Sequence, residues 1–133
     1  MLQELPIGVQ NFEQIRRNNY LYVDKTEKIL SLAKTEKSYF LSRPRRFGKS
    51  LTLSTLEAMF QGKAELFKGL YAEEWVREQA KHPSQVIKLD MGDLGNYETI
   101  EEFKSALIDY LGDIIDDYDL NIKQTIQVVY SLR

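Results

Sequence analysis

Apolar positions recur at three- and four-residue spacings in some stretches of the chain and bunch into short runs in others. From Thr99 to Tyr118 the residues Ile100, Phe103, Leu107, Tyr110, Leu111, Ile114 and Ile115 predict a long amphipathic helix. Between Lys49 and Phe60, Leu51, Leu53, Leu56, Met59 and Phe60 cover most of a helix surface, and Gly62 stands where a stop is expected. That helix should be deeply packed. Asp24 followed by Glu27 reads as a D-x-x-E variant of the capping box, opening a helix whose apolar face is Ile29, Leu30, Leu32 and Ala33. The runs Leu21–Val23, Tyr39–Leu41 and Gln85–Leu89 predict short strands, the last set off by Pro83. Phe12 and Ile15 share one side of a helical turn after an irregular start containing Pro6, Gly8 and Asn11. Leu66 to Val76 suggests one or two short helices broken at Gly69. Ile122 to Leu132 fits a last helix, although Val128, Val129 and Tyr130 fit a strand equally well. The order strand, helix, helix, strand, helix predicts an α/β fold, a short parallel sheet with flanking helices.

Composition narrows this picture. The 133 residues, 43% hydrophobic and 29% charged, can bury one modest core, and no linker or repeat interrupts them, so a single domain over 1–133 is expected. There is no cysteine and only one histidine, His82, which excludes disulfides, thiol catalysis and cysteine zinc sites. A net charge of -2 argues against a uniformly basic nucleic-acid coat. Charge is uneven: up to Phe67 there are 11 basic and 7 acidic residues (+4), and beyond it 7 and 13 (-6). No stretch of 18 apolar residues and no basic, apolar secretory start is present, so the expectation is a cytoplasmic protein without a membrane partner.

Chemistry concentrates in Arg43-Pro44-Arg45-Arg46-Phe47-Gly48-Lys49-Ser50-Leu51, a Gly-Lys-Ser with an apolar run before it and an apolar helix after it. That is the context of a phosphate-binding P-loop. A helix starting at Gly48 offers unpaired backbone N–H groups and a partial positive charge to a polyphosphate, and glycine permits close approach. Lys49 would reach the β- and γ-phosphates, and the Ser50 hydroxyl would coordinate Mg2+. The G-x-x-x-x-G-K-[ST] pattern asks for glycine where Arg43 stands, and Pro44 removes one N–H. Arg45 and Arg46 add compensating positive charge.

The segments Leu5–Gly8, Phe12–Ile15, Tyr22–Thr26, Phe40–Leu51 and Phe60–Leu70, in that order, resemble the N-terminal portion of the predicted bacterial AAA-ATPase-like family. Many members carry a PD-(D/E)XK nuclease-like domain further on. In that family the Walker A motif itself takes the R-P-R-R-F-G-K-S form, so Arg43 is typical of it. The resemblance implies an AAA-type P-loop fold and binding of ATP with Mg2+ through Arg43 to Leu51, Ser50 meeting the metal. It leaves two readings of Tyr22 to Thr26 open: a structural one, with Asp24 as helix cap and Tyr22 as core, and an adenine-side one using Tyr22, Asp24 and Thr26.

A Walker B acid is harder to find. Asp90 ends an apolar run, but Lys88 interrupts it and Met91 follows where a catalytic glutamate belongs, so Asp90 reads as loop-capping and no catalytic residue is assigned. The resemblance places Walker B later, so the expected fold is truncated before that strand and self-association through an exposed sheet edge follows. The expected function is Mg-nucleotide binding with little or no hydrolysis by this chain alone. The alternative is a non-catalytic interaction module with a vestigial site, its basic loop binding nucleic acid or a protein. Ten acids from Asp90 to Asp119 face one base, Lys104, and read as a solvated helix face. Asp117, Asp119 and Asn121 lack the glycine and glutamate of a calcium loop.

Overall fold

The computed structural model describes residues 2–42, 44, 48–119 and 127–131. Five helices are formed: α1 (Phe12–Arg17), α2 (Thr26–Ala33), α3 (Lys49–Phe60), α4 (Glu73–Gln79) and α5 (Ile100–Asp117). Two strands, β1 (Val86–Asp90) and β2 (Gln127–Ser131), and 3-10 turns at Ala64–Phe67 and Met91–Leu94 complete the described elements. The chain groups into two compact units, residues 1–84 and 85–133. No helix among the described residues is long and apolar enough to cross a membrane.

The first unit is all helical. Its core joins Phe12 of α1, Ile29 and Leu30 of α2, Ala58 and Met59 of α3, Leu66 and Phe67 of the 3-10 turn, and Ala72 and Val76 at α4. Phe12 and Phe67 are fully buried, their ring centroids 4.7 Å apart, and Trp75 meets Phe60 edge-on at 6.1 Å. Residue 62 has to be glycine here, for two reasons. Its φ is +69°, and a Cβ would stand 2.6 Å from the Ala80 backbone, so the end of α3 and the end of α4 approach without a side chain between them.

In the second unit β1 pairs in parallel with β2, Val86 opposite Gln127 through Asp90 opposite Ser131. Ile87 and Leu89 of β1 pack on Ile114 of α5, with Tyr110 beside them. Helix α5 opens on a complete capping box: the Thr99 side chain accepts from the Glu102 N–H at 3.2 Å while the Glu102 carboxylate accepts from the Thr99 N–H at 3.3 Å.

The expected fold class is corrected. The molecule is mostly helical and is not a short parallel sheet with flanking helices; its only described ladder is the β1–β2 pair. Leu21–Val23 and Tyr39–Leu41 form no strand. A strand needs a neighbour to take its N–H and C=O groups, and no described element supplies one to Tyr39–Leu41. Tyr39 and Phe40 are instead 54% and 80% exposed, the opposite of a buried central strand. The apolar runs were long enough for strands, but a run cannot specify its partner. At the far end, Gln127–Ser131 is a strand, while residues 122–126 and 132 of the expected last helix lie outside the described residues.

Candidate functional site

Helix α3 begins at the Gly-Lys-Ser segment. Gly48 is its N-cap, in the left-handed region at φ +79° and ψ +18°, where a side chain would be strained. A Cβ there would meet no described residue within 4 Å. Thr52 locks the first turn: both its N–H and its hydroxyl donate to the Gly48 carbonyl at 2.9 Å. Ser50 is exposed, whereas Lys49 and Leu51 are half-buried, Leu51 against the core. The first turns of the other helices carry acids, Glu13, Glu27, Glu73 and Glu74, Glu101 and Glu102. That of α3 carries none, so no carboxylate of its own offsets its positive end. Pro44 is exposed; Arg43, Arg45, Arg46 and Phe47 lie outside the described residues.

The middle of α3 is polar where it is most buried. Ser54 and Thr55 are 7% and 0% exposed. The Ser54 hydroxyl accepts the Phe12 N–H of α1 at 3.0 Å and donates to the Leu51 carbonyl at 3.0 Å. The Thr55 hydroxyl donates to the same carbonyl at 2.7 Å. Sequence reading passed over these hydroxyls because it scored α3 by its leucines. Their signal was available in three hydroxyl residues, Thr52, Ser54 and Thr55, set inside an otherwise apolar helix.

The Tyr22–Thr26 segment makes a clip between distant parts of the first unit. Lys25, not Asp24, is the N-cap of α2, and the expected D-x-x-E box does not form. One Asp24 oxygen accepts the Thr26 N–H at 2.8 Å and the Thr26 hydroxyl at 2.6 Å, and the other accepts the Tyr71 N–H at 2.8 Å. Thr26, fully buried, also accepts the Ala72 N–H at 3.1 Å. Tyr22 packs edge-on against Phe12, 5.2 Å between centroids, with Thr55 beside its hydroxyl. Burial pushes the Tyr22 hydroxyl above its ordinary 10.0, against the hydrogen bond it shares with Thr55, and the charge of Asp24 adds to the rise. Burial pushes Asp24 upward too, but the Thr26 hydroxyl, the Tyr71 and Thr26 N–H groups and the Arg16 charge outweigh it and hold Asp24 below its ordinary 3.8. Tyr22, Asp24 and Thr26, the residues of the adenine-side reading, thus spend these polar groups on the protein itself.

Helix α1 is fastened in the same region. Arg16 donates from Nε to the Leu66 carbonyl and from a terminal nitrogen to the Lys68 carbonyl, both at 2.7 Å. Glu13 pairs with Lys63 at 2.7 Å and with Arg17. In the second unit Asp90 acts as a loop cap: its carboxylate accepts the Gly92 N–H at 2.8 Å and its own N–H donates to the Tyr110 hydroxyl at 3.1 Å.

Gly48 thus opens a helix with Lys49 and Ser50 in its first turn. The profile of the family described as "Predicted AAA-ATPase" matches residues 6–132, and the chain belongs to that family. It is also 46% identical over 91 residues to a protein of Azotobacter chroococcum mcd 1 described as "Uncharacterized protein in vnfD 5'region". That match covers 68% of this chain and 17% of the relative's length. No solved structure matches the chain.

Proposed function

We propose that the chain binds a magnesium nucleotide, ATP above all, with its phosphates at the N-terminal end of α3. The observation that carries the reading is Gly48, left-handed and with no described residue where its side chain would stand, at the head of a helix whose first turn holds Lys49 and Ser50 and no acid. Membership of a predicted ATPase family supports it. The residues present fit the ligand: the absent Cβ of Gly48 leaves room for a phosphate, and the Ser50 side chain is exposed beside it. Lys49 supplies a flexible positive charge for the outer phosphates and Ser50 a hydroxyl for the metal. Bound Mg2+ would neutralise charge shared between the outer phosphates. Arg43, Pro44, Arg45, Arg46 and Phe47 complete the loop by sequence. The reading is of binding, with little or no hydrolysis by this chain alone.

Isothermal titration with Mg-ATP tests it. Saturable binding by the wild-type chain and its loss in Lys49→Ala are expected. Equal affinity in the two proteins overturns the site. Steeply salt-dependent DNA or RNA binding without any response to Mg-ATP would favour the interaction-module alternative.

A further inference from the structure

Ser50 and Ser54 stand four residues apart on α3 and therefore on one face of it, one turn apart. Ser50 is exposed at the tip; Ser54 is buried and bonded to another helix. Through its hydroxyl, Ser54 holds the first N–H of α1 and the carbonyl of Leu51, a residue of the first turn of α3. Helix α1 is itself pinned beyond the other end of α3, by Glu13 on Lys63 and by Arg16 on the carbonyls of Leu66 and Lys68. A helix packed only by apolar contacts can roll about its axis at small cost, because dispersion and area burial are not directional. A buried hydrogen bond to a neighbouring main chain is directional, and losing it leaves the Phe12 N–H buried without an acceptor.

We propose that α1 sets the roll of α3 through Ser54, and so fixes the direction in which Ser50 and Lys49 face the nucleotide. Ser54 is a positioning residue, acting through the first turn of α3 without touching the ligand. The inference rests on the nucleotide-binding reading for its ligand, although the anchoring of α3 can be measured without one.

The experiment compares Ser54→Ala with Val76→Ala, a core truncation in α4, where Val76 is fully buried, that destabilises the same unit without touching α3's first turn. Both are measured below their melting temperatures, by Mg-ATP titration and by amide hydrogen exchange. Ser54→Ala is expected to weaken Mg-ATP about tenfold, the scale of one directional hydrogen bond, while Val76→Ala stays within about twofold. Exchange at Thr52, whose N–H is bonded to the Gly48 carbonyl, is expected to quicken in Ser54→Ala and not in Val76→Ala. Ser54→Thr, which keeps the hydroxyl, should restore both. Affinity and exchange that fall alike in the two truncations overturn the positioning role. Should the wild-type chain bind no nucleotide, the functional reading fails by itself. The anchoring is then decided by exchange: a selective loss of protection at Thr52 sustains it, and unchanged protection ends it.

Discussion

Helices α3 and α5 are the longest of their respective units, 12 and 18 residues, and they are held in opposite ways. Helix α5 carries strong local devices at its start and along its length: periodicity, acids in its first turn and a complete capping box. Yet Ile114 is its one buried residue, and Ile108 is 69% exposed. Helix α3 has no side-chain cap at Gly48 and apolar residues around most of its circumference, but it buries Ser54, Thr55, Ala58 and Met59. Local sequence can start a helix, whereas burial depends on what the rest of the chain brings to it. The site sits on the helix held by tertiary contacts.

The largest expected effect is Phe67→Ala, which empties the centre of the core around α3 and should cost about 3–5 kcal/mol. Urea unfolding of the first unit measures it; a loss below about 1 kcal/mol would mean that the core does not hold α3. Thr99→Ala removes half of the capping box and should cost α5 about 1 kcal/mol, read as lost helical circular dichroism or faster exchange in its first turn. An unchanged α5 would show that β1 packing, not the cap, sustains that helix. The smallest effect is acid sensitivity of the first unit. Glu13, held below its ordinary 4.5 by the Lys63 and Arg17 hydrogen bonds, and Asp24, held below 3.8, stabilise the fold fully above those values. Their contribution is lost as pH falls through their lower folded values. Asp24→Asn should flatten that part of the unfolding midpoint's pH dependence, and an unaltered profile would remove Asp24 from the account.

Much of the helical content was legible in the residues themselves. Ile100 to Asp117 followed from periodicity and Thr99, Lys49 to Phe60 from apolar density and its bounding glycines, and Phe12 to Arg17 from two residues on one side. Strands were less legible because pairing is decided elsewhere in the chain: Val86–Asp90 has β2, while Tyr39–Leu41 has no described partner. The D-x-x-E box misled for a similar reason, since Asp24 gives one oxygen to Thr26 and the other to Tyr71, 47 residues away. In the proposed site, Gly48, Lys49 and Ser50 stand out in the sequence because their spacing is local. Ser54 could not, because its meaning lies in a bond to Phe12.

The hydrogen bonds that fasten α1 and the Tyr22–Thr26 clip reach 42 residues along the chain to Ser54, 46 to Ala72 and 52 to Lys68. During synthesis that spacing sets a timetable. The first segments made must wait for partners not yet translated, and the clip closes only once Ala72 has emerged. Closing spans of this length carries an entropic cost that grows slowly with loop length, so the delay stems from the order of arrival more than from distance. In the interval Phe12 and Thr26, both fully buried at the end, stand in solvent on the nascent chain. Phe12 and Thr26 are therefore secured only after the later-made part of the same unit has emerged.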